Sequence, residues 1–181
     1  MKVNRIALTG VLLIQNVVHS DLRGCFIKTY SEVDFSSSKI NIDIREIFYS
    51  LSKKNVIRGM HFQLPPFEQA KLVSVVKGRI NDVLLDLRID SETFGKHTDI
   101  ELRENDGNVL YIPPGVAHGF VSREEESVVL YAVDFRYTSD KESGIRYDSF
   151  GYDWKVDNPI LSIRDLHFKR FDQFESSFRM R

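Results

Sequence analysis

The sequence predicts an all-β protein, either an antiparallel sandwich or a closed barrel. Short apolar runs dominate its 181 residues, and turn residues separate them. No stretch before the C-terminal end keeps a helical period, and the sequence contains no internal repeat or low-complexity segment. Many short strands joined by turns are typical of antiparallel architectures. A barrel of this kind would offer a lined interior to a ligand.

The predicted strands are the apolar runs at residues 11–17, 26–30, 44–51, 72–76, 79–87, 99–102, 109–112, 119–121 and 128–135. We expect a few short peripheral helices, and the better candidates are residues 31–38 and 164–174. At this length we expect one domain over residues 1–181, with the segment from about 160 to 181 packed on the outside of the barrel.

Charge and cysteine content exclude several classes of function. The chain has 25 basic and 26 acidic residues, so its net charge of -1 attracts neither nucleic acid nor an anionic membrane surface. An anionic ligand must then be held by local groups. The lone Cys25 excludes an internal disulfide and fits a reducing compartment. The apolar patch at residues 11–14 is far shorter than the roughly 20 residues of a membrane span, and we expect a cytoplasmic protein.

The stretch from residue 56 to residue 76, VIRGMHFQLPPFEQAKLVSVV, carries polar side chains between apolar ones. It is predicted to form two short strands of a hairpin that aims polar groups inward. Strict alternation puts Arg58 on one face, and His61 and Gln63 on the other. Lys71 stands between the apolar Ala70 and Leu72, which favours an inward direction for it as well.

A second stretch, GNVLYIPPGVAH at residues 107–118, has the glycine, proline and histidine spacing of the second motif of the cupin barrels. Further motifs follow one another along the chain: DLRGCF, VIRGMHFQ, QAKLV, GRINDVLLDLR, SETFG, IPPGVAHGF, GIRYD and LSIRD. In this order they resemble the dTDP-4-dehydrorhamnose 3,5-epimerase family over nearly the whole chain. The resemblance implies a cupin-type jelly-roll barrel, a homodimer, no metal or other cofactor, and epimerisation of a nucleotide-linked 4-keto-6-deoxy sugar for surface-polysaccharide biosynthesis.

The chemistry of such a reaction defines four roles. A ketone at C4 acidifies the hydrogens at C3 and C5, so inversion needs a base with an orienting partner, a stabiliser of the enolate and an acid on the opposite face. His61 suits the base because an ordinary histidine, with a pKa of about 6.5, is largely neutral at working pH. The resemblance also makes His61 the base, Asp165 its partner and Tyr131 the acid. Lys71 is the candidate for stabilising the C4 oxyanion, with Arg58 as a second cation.

The substrate-binding candidates come mainly from the resemblance. Arg23, Arg58 and His118 are available for the diphosphate or the sugar, and arginine offers bidentate geometry. The remaining candidates are Phe26, Lys28, Glu46, Gln63 and Tyr137. Plainer interpretations exist for several of these groups, since a histidine or a tyrosine in an apolar strand is often only part of the core.

The nucleotide is where the chain departs from the family. Lys28 stands where the family usually has glutamate, and Glu46 and Phe48 stand where it has glutamine and asparagine. A carboxylate such as Glu46 could accept from the two donors on the edge of guanine. The sequence therefore leaves open a GDP sugar, either a hexose or a heptose, beside an unchanged dTDP site.

A metal is not expected. Cupin metal sites begin with two histidines one residue apart, and here the pair is His61 and Gln63. Glutamine is a poor ligand for transition metals, so three or four protein ligands are hard to assemble.

Two other functions stay open at this point. One is a sugar 3,4-ketoisomerase on the same barrel, and the other is a non-catalytic sugar-binding barrel. The sequence also leaves open whether C3, C5 or both centres are inverted, because both reactions use the same base and enolate.

Overall fold

The computed structural model describes residues 1–180, which are mostly β-structure. The strands are β1 (Lys2–Arg5), β2 (Leu12–Gln15), β3 (Val18–Asp21), β4 (Gly24–Ile27), β5 (Glu46–Ser52), β6 (Ile57–Gln63), β7 (Lys71–Lys77), β8 (Arg79–Asp86), β9 (His97–Arg103), β10 (Asn108–Ile112), β11 (Val116–Ser122), β12 (Ser127–Val133) and β13 (Glu142–Gly144). Two short α-helices, α1 (Glu32–Ser37) and α2 (Ile163–Leu166), and 3-10 turns at Ser139–Lys141 and Phe171–Gln173 complete the description.

The strands form two large antiparallel sheets and one small hairpin. The first sheet has the order β1-β2-β10-β7-β12-β5, the second has the order β13-β6-β11-β8-β9, and β3 pairs with β4. Sequence neighbours are split between the sheets, as in a jelly roll. This confirms the predicted all-β, cupin-type barrel.

The main core lies between the two sheets. It contains Val73, Leu84, Leu110 and Phe120, each at most 1% exposed. In β12 every second residue is buried, which is the period-two pattern that favours a strand with one face on a core. Full burial of each such aliphatic side chain contributes about 1.5–3 kcal/mol.

The sequence located the strands better than their ends. Each predicted strand overlaps an observed one, with boundaries that differ by up to three residues. The strands at Lys2–Arg5, Val18–Asp21 and Glu142–Gly144 were missed because they are short and carry little apolar alternation. The predicted helix at residues 31–38 is confirmed as α1.

The predicted hairpin over residues 56–76 is wrong. Its two strands, β6 and β7, lie in different sheets and do not pair with each other. β6 pairs with β11 and β13, whereas β7 pairs with β10 and β12. The segment around Pro65 and Pro66 carries the chain from one sheet to the other, since proline interrupts a strand.

The predicted helix over residues 164–174 is also wrong. Only α2 and the 3-10 turn at Phe171–Gln173 are helical there. Between them Lys169 forms a parallel bridge with Ile145, and Lys169 O accepts from Arg146 N at 2.9 Å. The extended backbone that this pairing requires cannot continue a helix.

The C-terminal segment packs through aromatic side chains. The rings of Phe174 and Phe178 lie 5.2 and 5.3 Å from the ring of Phe62 on β6. Phe178 is 1% exposed and belongs to the same core cluster as Phe62. Within residues 1–180 no helix has the length and apolar character needed to span a bilayer.

Candidate active site

A cavity of about 210 Å³ is lined by residues of both large sheets. Most of the predicted site residues line it: Arg58, His61, Gln63, Lys71, His118, Tyr131 and Tyr137. The five-stranded sheet supplies the two histidines from β6 and β11, whereas the six-stranded sheet supplies the lysine and the first tyrosine from β7 and β12. Groups suited to acid and base chemistry therefore approach a ligand from two facing walls.

His61 and Asp165 form a hydrogen-bonded pair. His61 Nε2 lies 3.0 Å from Asp165 Oδ1, and Gly59 N donates to Asp165 Oδ2 at 3.1 Å. Asp165 lies in the short helix α2, and its backbone N donates to the side chain of Ser162, which caps the N-terminus of that helix. When the neutral ring donates to the ionised Asp165, its proton is on Nε2 and Nδ1 is the basic nitrogen.

The environment separates the pKa values of this pair. Burial alone would raise the pKa of Asp165, but hydrogen bonds from His61 and Gly59 and the charge of the imidazole hold it at about 2. Burial lowers the pKa of His61, Asp165 opposes that effect, and the positive charges of Lys71 and Arg164 add to it. The pair thus combines an imidazole of lowered pKa with a carboxylate that is ionised at neutral pH, which are the properties that a base and its orienting group need.

A second histidine and carboxylate pair lies in the same cavity wall. His118 Nε2 is 2.7 Å from Asp82 Oδ2, and their side chains are 5% and 0% exposed. Asp82 Oδ1 is buried and has no hydrogen-bond partner among residues 1–180. Burial raises the pKa of Asp82 against the opposing effect of His118.

Lys71 projects into the cavity from the facing sheet, in the direction that its apolar neighbours predicted. Burial lowers the pKa of its ammonium group to about 8, while the charges of Glu142 and Asp82 oppose this effect. The lysine is therefore a cation at neutral pH that becomes neutral only slightly above it.

Tyr131 is held by rings on two sides. Its own ring stacks on Phe48, with centroids 4.9 Å apart and 17° between the planes, and meets His118 edge-on at 5.9 Å. Burial raises the pKa of the phenol. A phenol that keeps its proton can act as an acid toward a carbanion but not as a resting base.

Arg58 and His61 both reach the cavity, although strict alternation placed them on opposite faces. The register between β6 and β11 shifts between His118 and Phe120, next to Arg58. The guanidinium then donates to Ser52 Oγ at 2.9 Å and to Leu51 O at 3.1 Å on β5. A local irregularity in the ladder therefore changed the face of one residue.

Residues 136–138, which we call the strap, cross the rim of the cavity. Gln63 Nε2 donates to Arg136 O at 3.4 Å, and Thr138 N donates to Gln63 Oε1 at 2.9 Å. Tyr137 N donates to Glu46 Oε1 at 3.2 Å. Gln63 thus holds the strap through both the oxygen and the nitrogen of its side-chain amide. Glu46 also bonds to the strap, but it does not line the cavity.

The structure does not bring the residues of the DLRGCF motif into the cavity. Arg23 and Phe26 lie on the β3–β4 hairpin and line a separate surface depression. Arg23 is paired with Asp21, and Phe26 is 62% exposed. Lys28 follows β4 directly.

Sequence reasoning missed three charged groups of the site: Asp82, Glu142 and Arg164. Glu142 and Arg164 line the cavity, and Asp82 lies behind His118. Asp82 and Arg164 stand inside the motifs GRINDVLLDLR and LSIRD, so the neighbouring residues could have pointed to them. Glu142 gave no such signal, because it comes close to the site only through the pairing of β13 with β6. Among the described residues, no three His, Cys, Asp or Glu side chains gather as a metal site would require.

The fold and the cavity together define a class of protein. An imidazole paired with a carboxylate on one wall, a buried phenol on the other and a lysine beside them are the parts of a proton-transfer enzyme on a cupin-type barrel.

Comparison with known proteins identifies the family. The family model described as dTDP-4-dehydrorhamnose 3,5-epimerase matches residues 5–173. The enzyme of that name from Methanothermobacter thermautotrophicus is 36% identical over 168 residues, which cover 90% of each chain. The solved structure from Sulfolobus tokodaii is 36% identical, covers 97% of each chain and has a TM-score of 0.90.

A third relative was solved with a ligand. The dTDP-6-deoxy-D-glucose-3,5-epimerase of Legionella pneumophila, in complex with dTDP-4-keto-L-rhamnose, superposes with a TM-score of 0.94 at 26% identity and covers 99% of this chain and 98% of that one. The present chain belongs to the dTDP-4-dehydrorhamnose 3,5-epimerase family, and it is an epimerase of the isomerase class.

Proposed function

We propose that this enzyme inverts both C3 and C5 of a dTDP-linked 4-keto-6-deoxyhexose, using neither metal nor cofactor, in the biosynthesis of a deoxysugar for surface polysaccharide. The observation that carries the proposal is the cavity between the sheets, where the His61 and Asp165 pair faces the buried Tyr131. The reaction needs a base and an acid on opposite faces of the sugar ring, and two facing sheets supply them.

In the proposed mechanism, His61 removes the proton from the carbon beside the ketone, and the electron pair of that bond moves into the enolate. Lys71 and His118 stabilise the charge that develops on the C4 oxygen. Tyr131 then gives its proton to the opposite face of the same carbon, and the enolate returns to the ketone. Before the next inversion, the imidazolium of His61 loses its extra proton to solvent and the phenolate of Tyr131 takes one up.

A dTDP substrate is supported over a GDP substrate by the position of Glu46. Its carboxylate already accepts a hydrogen bond from Tyr137 N at 3.2 Å and does not line the cavity. The similar Legionella enzyme was solved with a dTDP sugar. Calorimetric titration should therefore find dTDP bound more tightly than GDP, with little change in Glu46→Gln. A preference for GDP that disappears in this variant would instead assign guanine selectivity to Glu46.

A homodimer is part of the proposal, because two features within residues 1–180 are suited to contact a second chain. The edge strand β5 exposes Ile47, Tyr49 and Leu51 at 66%, 70% and 49%, and such an edge favours pairing with another chain. The β3–β4 hairpin holds Arg23, Phe26 and the adjacent Lys28 away from their own cavity. We propose that these three residues bind substrate in the cavity of a second copy.

The exposed lone thiol of Cys25 fits a cytoplasmic location.

Deuterium exchange tests the proposed activity. Incubation of a dTDP-4-keto-6-deoxyglucose substrate with the enzyme in D2O should introduce deuterium at both C3 and C5 and give the doubly inverted sugar. A 3,4-ketoisomerase would instead move the carbonyl, and a sugar-binding barrel would leave all carbon-bound hydrogens in place. Either of these results would contradict the proposal.

A further inference from the structure

A chain of hydrogen bonds joins the base to the rim of the cavity. Arg164 Nη1 donates to Glu142 Oε2 at 2.6 Å, and Tyr137 Oη donates to the same oxygen at 2.7 Å. On its other side, the guanidinium of Arg164 lies 3.3 Å from His61 Nε2 and 3.4 Å from Asp165 Oδ1. One ion pair at the rim is therefore in direct contact with both members of the catalytic pair.

Arg164 and Asp165 compete for the same nitrogen of His61. A proton on Nε2 bonds to Asp165, whereas a lone pair on Nε2 would accept from Arg164 Nη2 and move the proton to Nδ1. The second tautomer has no basic nitrogen free, because Nε2 is then occupied by the arginine. The shorter bond to Glu142 holds the guanidinium toward the rim, which favours the first tautomer.

Charged and titratable groups surround His61 on the elements packed around it. A cation beside the ring disfavours the imidazolium, and an anion favours it. Arg164 thus helps to keep the base neutral, and Glu142 limits how closely the guanidinium approaches it. The charged and titratable groups are Arg164 and Asp165 on α2, His118 on β11, Lys71 on β7, Glu142 on β13, Tyr131 on β12, Arg58 on β6 itself and Tyr137 on the strap.

We propose that Glu142 and Arg164 are positioning residues of the epimerase, and that their ion pair sets the tautomer and the charge state of His61. This inference rests on the proposed role of His61 as the base. It assigns a function to two residues that touch neither the reacting carbon nor the C4 oxygen in the mechanism above.

The direct test is an NMR titration of the histidine side chains in the ligand-free protein, with the His61 signal assigned by its loss in His61→Asn. The ring nitrogen shifts should show the proton on Nε2 in the wild type. Glu142→Gln should increase the fraction with the proton on Nδ1, because Arg164 is then free to donate to Nε2. Arg164→Gln should raise the titration midpoint of His61, and Arg164→Lys should keep it near that of the wild type.

Arg170→Gln is the matched control. Arg170 lies in the same C-terminal segment and pairs with Asp172 at the surface, so its loss should leave both the tautomer and the midpoint unchanged. An unchanged tautomer in Glu142→Gln together with an unchanged midpoint in Arg164→Gln would overturn the proposal. This measurement needs no turnover, so it decides the role of the ion pair even if the proposed function fails.

Deuterium exchange adds a second criterion. Each single variant should lose on the order of 10- to 100-fold in kcat, in line with the cost of a misplaced catalytic group. The double variant Arg164→Gln, Glu142→Gln should lose no more than the worse single variant, because the two residues act as one unit. Fully additive losses would contradict this. An inactive wild type would instead refute the proposed function.

Discussion

The two histidine and carboxylate pairs of the cavity wall contain the same chemical groups in different surroundings. The His61 and Asp165 pair is partly accessible, with 22% of the imidazole exposed, and its carboxylate has further donors. The His118 and Asp82 pair is buried, and one of its carboxylate oxygens has no partner among residues 1–180. The pKa of Asp165 is lowered to about 2, whereas that of Asp82 is raised by burial.

This comparison teaches that a histidine beside an acid is not by itself a catalytic base. A base must exchange its proton with the substrate, so it needs access and an orienting group that stays ionised. The first pair meets both conditions. In the second pair, a proton on Asp82, which the raised pKa favours, bonds to His118 Nε2 and leaves His118 Nδ1–H to donate to the sugar.

The largest expected effect separates the two pairs directly. His61→Asn should reduce deuterium exchange at C3 and C5 by roughly 10²- to 10⁴-fold, because general base catalysis is lost, while dTDP still binds. His118→Asn should cost about tenfold, the value of a single hydrogen bond to a charged group. Equal losses in the two variants, measured in the same D2O assay, would show that the pairs are not functionally distinct.

The next effect concerns the acid on the facing sheet. Tyr131→Phe should still allow His61 to remove and return a proton, so deuterium exchange should persist more than formation of the inverted sugar. The ratio of exchange to epimer in one reaction mixture measures this directly. Wild-type yields of both would mean that Tyr131 is only a core residue stacked on Phe48.

A smaller effect is the pH dependence of kcat/KM, which reports groups of the free enzyme. Lys71 loses its proton as the pH rises through about 8, so the rate should fall above that pH if its charge stabilises the enolate. On the acid side, His61 has a lowered pKa, so it should stay neutral, and the rate should be maintained, at pH values below the ordinary pKa of histidine. Lys71→Arg should move the alkaline limb upward, and an unmoved limb would assign it to another group.

No change at all is expected from metal removal. The Nε2 atoms of His61 and His118 are both hydrogen-bonded to carboxylates, and the side-chain amide of Gln63 is hydrogen-bonded to the strap. These atoms are therefore already engaged and are not arranged as metal ligands. Activity should survive prolonged treatment with EDTA or phenanthroline, and elemental analysis should find well under one equivalent of zinc, iron or nickel. A stoichiometric metal whose loss stops turnover would place both histidines in a single metal site instead.

Local pattern was sufficient to predict much of the molecule. Period-two alternation identified the strands that line the core, such as β12, because the side chains of a strand point to alternate faces. The motifs around His61, Lys71 and His118 predicted three of the groups that now line one cavity.

Other features required the tertiary structure. β6 and β7 are neighbours in sequence but lie in facing sheets, and this separation places His61 and Lys71 on two walls of the cavity. Arg58 shares the cavity with His61 only through a shift in strand register. Asp165 reaches His61 across 104 positions of sequence.

The sequence by itself determined where most of the strands lie and which family the motifs resemble, and it predicted candidate residues for the site. Only the tertiary structure decided that the ion pair of Glu142 and Arg164 contacts His61 through the arginine, and that Glu46 bonds to the strap and does not line the cavity. The physical reason is that alternation along a strand records only which of its faces is buried. Which faces then meet depends on pairings between segments that are distant in sequence. Such a pairing stabilises the fold only after the entropy cost of closing the intervening loop has been met.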